Sequence, residues 1–318
     1  MKKLVTSRAP INIALIKYWG KKDELEVLPY QPSISLSLDC FETETTIEKT
    51  DQPFSFMING KQDRHMKAHV AEFLSQFTSN ELFGIQIRTT NSGPTAAGLA
   101  SSASGYAALA VAANVFFETN YPIEKLASIT RKGSGSAIRS LLPNCVKWDV
   151  DGSIAPVNWT FKDAKMGIVI ISDKKKAISS REAMKESIKT SPLYKDWITQ
   201  SFIDAALFET FNHNQQFSEL GLLIENNALM MHKVCETTVP SIKFLTDESY
   251  QLIHHIQQAR RQHHYEAYVT MDAGPNVKIL CLDHDRKAIE NDLNHLGYQV
   301  IWSNIDEKGA VILHELSM

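Results

Sequence analysis

The chain has 318 residues, 43% of them hydrophobic and 22% charged, which suits one large or two medium soluble domains with a full core. Its formal net charge of −3 excludes any bulk electrostatic case for nucleic acid or an anionic membrane, so an anionic ligand needs a local basic pocket. No CxxC or zinc spacing links Cys40, Cys145, Cys235 and Cys281, and the longest apolar stretch, residues 107–117, contains Asn114 and is too short for a bilayer.

At the N-terminus the apolar pair Leu4-Val5 gives way to Thr6-Ser7-Arg8, so no signal-peptide core forms; with thiol cysteines, this reads as a cytoplasmic protein. Residues 33–38 alternate polar and apolar as a half-buried strand does. Residues 43–49 and 54–58 follow at hairpin-like spacing, with Asn59-Gly60 as a turn. A helix is expected over 63–77, a strand over 84–89, a small-residue loop over 91–102, and helices over 104–118 and 123–131. In the second half, residues 166–171 read as a buried strand by length and β-branching. Helices are expected over 180–188, 194–210, 218–234, 248–263 and 286–296. Strands are expected over 265–271, 277–282, 299–302 and 310–314. Strands early and interleaved helices late suggest a layered α+β protein divided near residue 165, into 1–165 and 166–318.

Four segments carry candidate chemistry. The first is PTAAGLASSASG, residues 94–105. Gly98 and its small neighbours let a backbone approach a ligand closely, Ser101, Ser102 and Ser104 supply hydroxyls, and a helix start brings unpaired N–H groups and its positive dipole end. That is a phosphate cradle or a plain serine-rich cap; it is not a Walker A loop, because no GK[ST] follows. The second is GSGSAIRS, residues 133–140, where Ser136 and Arg139 could wrap an anion and Arg139 offers a planar fork for a carboxylate; a solvated surface arginine is the alternative. The third is NIALIKYWGKKD, residues 12–23. Lys17 interrupts an apolar run, and a buried lysine needs a carboxylate partner or a shifted pKa. The fourth is MDAGPN, residues 271–276, which sets Asp272 at a strand end before a tight turn, as a reactive acid or as an Asx-turn initiator. Lys174, Lys175, Lys176 and Arg181 add a run of cations. The pairs His254-His255 and His263-His264 read as surface or partly packed, and Leu229-Met230-Met231 as core or interface filling.

Together and in this order, the segments NIALIKYWGKKD, PTAAGLASSASGYAA, GSGSAIRS and MDAGPNVK resemble the diphosphomevalonate decarboxylase family of the GHMP kinase superfamily over nearly the whole chain. The resemblance implies an N-terminal domain like the second domain of ribosomal protein S5, a ferredoxin-like C-terminal domain, and a cleft between them. It implies an ATP- and Mg²⁺-dependent lyase of the mevalonate pathway that converts 5-diphosphomevalonate to isopentenyl diphosphate, ADP, phosphate and CO2. It places Asp272 at the substrate 3-hydroxyl, Lys17 as its partner, Arg139 on the substrate carboxylate, and Asn12 close by. Tyr18, Lys21, Ser136, Ser180 and Arg181 match substrate contacts; Gly98, Ser101, Ser102 and Ser104 match ATP phosphate contacts, with Mg²⁺ held through those phosphates near Ser102. A homodimer is common in the family. The chain departs from the family pattern at Gln31-Pro32 and Leu142-Pro143-Asn144. A 5-phosphomevalonate decarboxylase, a mevalonate 3-kinase and a non-catalytic metabolite binder are the alternatives on the same scaffold.

Overall fold

The computed structural model describes residues 1–93, 101–172, 174, 177–263 and 265–317, and of Ser101 and His263 the backbone only. In chain order the first half contains β1 (Leu4–Ile16), β2 (Lys21–Asp23), β3 (Leu28–Pro29), β4 (Ser33–Lys49), β5 (Ser55–Ile58), β6 (Lys61–Gln62), α1 (Arg64–Leu74), β7 (Ile85–Asn91), α2 (Ser101–Phe116), α3 (Ile123–Gly133), a 3-10 turn over Gly135–Ser140, β8 (Cys145–Trp148) and β9 (Ile154–Val157). The second contains β10 (Ala164–Val169), α4 (Ser180–Thr190), α5 (Tyr194–His213), α6 (Phe217–Glu236), α7 (Asp247–His263), β11 (Ala267–Thr270), β12 (Val277–Leu282), α8 (Asp283–His295), β13 (Val300–Ser303) and β14 (Val311–Leu316).

The long antiparallel pair β1–β4 is the spine of an 8-stranded sheet ordered β14-β1-β4-β7-β5-β6, with β8 and β9 attached beside β4. The two expected strands over 33–38 and 43–49 are one strand. Its register against β1 jumps between Pro10 and Ile11, so that Pro10 faces Glu42 while Ile11 faces Leu38. Proline has no N–H to give the ladder, and the partner strand bulges there. The expected hairpin between 43–49 and 54–58 is not formed: β5 runs parallel to β7, and Asn59-Gly60 turns β5 into β6 instead. Both turn residues have positive φ (48° and 75°), which a two-residue primed turn requires and which Asn-Gly accommodates.

The second half forms a four-stranded antiparallel sheet in the order β11-β12-β10-β13. With α4–α7 after β10 and α8 between β12 and β13, this is the split βαββαβ arrangement of ferredoxin-like layers. The last strand, expected over 310–314, leaves this sheet and pairs with β1, Leu4 opposite Leu316. A cut at residue 165 therefore runs through the first sheet.

Strand β1 was not legible by alternation because it is buried on both faces. Val5 and Ala9 join the first core, with Ile47, Ile87, Phe73 and the alanines of α2. Ile11, Ile13 and Leu15 join a second core with Ile34, Leu36, Met166, Ile168, Phe208, Leu220 and Ile224, which welds the two halves together. Among the described residues no helix is long and apolar enough to cross a membrane, and all four cysteines are free.

Candidate active site

A cavity of about 690 Å³ opens along the seam between the halves. The end of β1 delivers Asn12, Ala14 and Lys17 to it. The 3-10 turn brings Ser136 and Arg139, the start of α2 Ser102, the start of α4 Ser180 and Arg181, and the end of β11 Asp272. Residues far apart in sequence thus share one wall-to-wall space, with a helix N-terminus from each half opening onto it. Two such ends, each with unsatisfied N–H groups and a positive dipole, suit two anionic groups.

Asp272 is fixed by the turn that follows it. Gly274 has φ 45°, and a Cβ there would lie 2.7 Å from the Phe244 carbonyl oxygen, so only glycine fits. The Asn276 side chain accepts from the Ile171 and Ser172 amides at 2.7 and 3.0 Å and donates to the Ser172 carbonyl at 3.1 Å, which ties the turn to the end of β10. The Asp272 carboxylate is held by two lysines rather than by turn amides: Lys17 Nζ lies 3.3 Å from Oδ1 and Lys278 Nζ 3.0 Å from Oδ2. Burial pushes this carboxyl up, but Lys278 and Lys17 outweigh it and hold it well below the usual carboxylate range. Burial in turn lowers the Lys17 ammonium to about 8 against the pull of Asp272. The Lys17 ammonium also donates to the Ala14 carbonyl at 2.6 Å. His232, on α6, hydrogen-bonds the Asp272 backbone, and burial holds it neutral with a pKa of about 3.

Arg139 is 3% exposed. It donates to Ser33 Oγ at 2.6 Å and to Asn12 Oδ1 at 3.4 Å, and lies 5.9 Å from the Trp148 ring centroid. Burial lowers its pKa to about 10, so it remains a cation. Among the described residues no carboxylate forms an ion pair with it. A buried guanidinium that faces a cavity without a protein anion is a site for a ligand carboxylate or phosphate. Asn12 donates to Ser140 Oγ at 2.7 Å and to the Ser136 carbonyl at 3.2 Å, bracing the same turn.

At the other end of the cavity the Tyr18 ring packs at a tilt of 51° against Trp148, centroids 4.7 Å apart, and its buried hydroxyl has no partner among the described residues. Lys21 lies near Arg181. Burial and the Arg181 charge lower its pKa, and Glu24, 3.5 Å away, offsets this only in part. Neighbouring cations gain from an anion between them. The capping box of Ser179 and Glu182 sets the start of α4 beside them.

Of the serine loop, Gly98 lies outside the described residues, as do Lys175 and Lys176. Helix α2 begins at Ser101, three residues earlier than expected, which puts the serines in its first turn. Ser102 is exposed and lines the cavity. Ser104 is buried, with its hydroxyl 2.6 Å from Thr43 Oγ1 on β4, behind the helix start. Neither Gln31 nor residues 142–144 line the cavity. The latter pack on the returning chain, where Asn144 donates its amide to the Asp306 carbonyl. Sequence reasoning missed Lys278, His232 and Ser33. Lys278 had the same signal that singled out Lys17, a lysine inside an apolar strand, VKILCL. Among the described residues no three His, Cys, Asp or Glu side chains gather to hold a metal. His255 instead pairs with Asp292 at 2.8 Å.

A mixed sheet opening on a helix start, closed against a ferredoxin-like layer with an ionised acid at the seam, is the architecture of the GHMP kinase superfamily. Residues 9–155 match the diphosphomevalonate decarboxylase-like N-terminal domain, and residues 166–309 the mevalonate 5-diphosphate decarboxylase C-terminal domain. The chain is 34% identical over 314 residues to human diphosphomevalonate decarboxylase, across 88% of this chain and 77% of the human one. Its fold is similar to mevalonate diphosphate decarboxylase from Staphylococcus aureus (TM-score 0.92, 34% identity, 99% of each chain). It is also similar to the enzyme MDDEF in complex with MVAPP, AMPPCP and magnesium (TM-score 0.89, 33% identity, 98% and 99%). The chain belongs to the diphosphomevalonate decarboxylase family.

Proposed function

We propose that the chain catalyses the ATP-dependent decarboxylation of 5-diphosphomevalonate. The single observation that carries this is Asp272, ionised and lysine-paired, in one cavity with a buried Arg139 that has no carboxylate partner among the described residues. The γ-phosphoryl of ATP passes to the 3-hydroxyl, which makes a poor leaving group a good one. The C3–O bond then breaks with loss of phosphate. The bond from C2 to the carboxylate breaks as well, its electron pair becoming the alkene as CO2 departs. The products are isopentenyl diphosphate, ADP, phosphate and CO2.

In this assignment Asp272 accepts the hydrogen bond of the 3-hydroxyl. A carboxylate held this acidic orients the hydroxyl better than it retains its proton. Lys17 keeps it charged, Arg139 grips the substrate carboxylate, and Asn12 braces Arg139. Tyr18, Lys21, Ser136, Ser180 and Arg181 receive the diphosphate. Ser102 and the start of α2 receive the ATP phosphates, with Ser104 bracing from behind; Gly98 and Ser101 are assigned to the same phosphates on the sequence resemblance. The exposed Ser102 hydroxyl suits a hard cation carried by phosphate oxygens, and Mg²⁺ there would offset their negative charge.

We place the division of the chain near residue 165, with β14 returned to the first unit. We further assign the protein to the cytoplasm, as a homodimer; Phe202, Ile203 and Leu207 exposed on α5 and Leu222 on α6 offer an apolar surface for a second copy. The deciding experiment measures CO2 release with ATP and Mg²⁺ from diphosphomevalonate and from monophosphomevalonate. Release from the diphosphate is expected; release from the monophosphate alone, or ADP formed without CO2, assigns the chain to another member of the scaffold.

A further inference from the structure

Lys278 is 1% exposed and lies on the face of β12 that looks toward the seam, as Leu280 does, whereas Val277, Ile279 and Cys281 face α7 and α8. Its ammonium meets Asp272 Oδ2 at 3.0 Å and the Asn276 carbonyl at 3.5 Å. It does not line the cavity; Lys17, on the other carboxylate oxygen, does. Removing an ammonium from water costs several kcal/mol even when it is paired, and an apolar side chain of similar length is often as stable or more so. Lys17 alone balances the single charge of Asp272, so a second lysine needs another reason.

The charged and titratable groups facing Asp272 are Lys17 from β1, Lys278 from β12, Arg139 from the 3-10 turn and His232 from α6. With His232 neutral, the described cluster sets three cations against one carboxylate. The two lysines divide the work by position. Lys17 is within reach of anything that enters the cavity, while Lys278 approaches from the core and holds an oxygen sealed from solvent.

We infer that Lys278 is a positioning residue for the reaction: it anchors Asp272 from the core side and keeps the carboxylate ionised and aimed while Lys17 turns to the incoming substrate. The inference rests on the assignment of Asp272 to the 3-hydroxyl. It assigns the pair unequal roles, Lys278 as the fixed counter-ion and Lys17 as the mobile one, and it accounts for the excess positive charge as an attraction for an anionic ligand.

The test follows Asp272 directly. The full-length protein is labelled with 13Cγ-aspartate, and the Asp272 resonance is identified by its loss in Asp272→Asn. In Lys278→Met the midpoint of that resonance is expected to rise by about one to three pH units, the usual effect of one nearby opposite charge. The acid limb of kcat is expected to rise with it, while KM for ATP is unchanged. Lys278→Arg is expected to return both toward the wild-type values, a recovery that a packing role does not produce. An unmoved Asp272 titration overturns the inference, and so does a moved titration with an unmoved acid limb. Should Lys278→Met fail to fold, Lys278→Gln, which keeps a donor without the charge, is measured in the same way. The titration needs no turnover, so an inactive wild type would defeat the function proposed above while Lys278 still stood or fell on its own result.

Discussion

Lys17 Nζ and Asp272 Oδ1 lie 3.3 Å apart although 255 positions separate them in the chain. The contact joins the residue that follows β1, in the first half, to the segment just after β11, in the second. It exists only when both halves have folded and docked, so site assembly and interdomain packing are one event. A change that loosens the seam through Ile13 or Ile168 reaches the chemistry through this pair.

Asp272→Asn keeps the shape and removes the charge. Turnover is expected to fall by about a hundredfold or more, the range for loss of a positioned acid-base group, with ATP binding retained. It also strands two buried lysines, at a cost of about 3–5 kcal/mol. That cost shrinks as pH rises toward 9, because burial already lowers the Lys17 ammonium to about 8 and lets it shed its proton. CO2 release and chemical denaturation at pH 7 and pH 9 measure both; near-normal turnover removes Asp272 from the mechanism.

Arg139→Lys preserves charge but cannot hold Ser33 and Asn12 while presenting a planar fork to a ligand carboxylate. Loss of one charge-assisted bond corresponds to about a 10- to 100-fold drop in kcat/KM for the mevalonate substrate. Steady-state kinetics with ATP saturating will show it, and unchanged values would mean that the carboxylate binds elsewhere.

Ser102 and Ser104 separate binding from bracing. Ser102→Ala is expected to raise KM for ATP about tenfold with little change in melting temperature. Ser104→Ala breaks the hydrogen bond to Thr43 and is expected to cost about 1 kcal/mol of stability, with a smaller effect on ATP. The reverse pattern would exchange their roles.

His232 predicts a pH dependence of stability. Its folded pKa of about 3 lies below its ordinary 6.5, so between these values the unfolded chain binds the extra proton. Stability therefore falls as pH drops below about 6.5, with a limiting slope of about 1.4 kcal/mol per unit. Asp272, also depressed, loses its contribution only at more acid pH, as its unfolded form begins to protonate. Urea midpoints between pH 7 and pH 5 should decline in the wild type and flatten in His232→Gln. Equal slopes would show that His232 titrates alike in the folded and unfolded chain.

The four chemical segments were legible because each breaks a local rule: a lysine in an apolar run, glycine and serine at a helix start, an acid before Gly-Pro. Their convergence was not, since no local pattern reports that Asn12 reaches Ser140 or that Ser33 accepts a hydrogen bond from the Arg139 guanidinium. The helices of the second half formed where they were expected, within a few residues at each end. Strands β1, β8 and β9 and the short β2, β3 and β6 were not read, and in β1 the two-faced burial erased the alternation that marks a strand. The partner of residues 54–58 was misjudged because hairpin-like spacing to 43–49 does not report a later strand, β7, that pairs with them in parallel. Lys278 was overlooked although it breaks the same rule as Lys17, a lysine inside an apolar strand.

The pairing of Leu4 with Leu316 has a consequence for biosynthesis. During translation β1 is made well before β14. Until residues 311–316 emerge, the nascent chain carries one flank of β1 with open amides and carbonyls, a template for unwanted pairing with neighbouring chains. A release of premature fragments ending near residue 309 would yield molecules with all the site's segments but an unsealed margin, and such fragments should aggregate where the full chain does not.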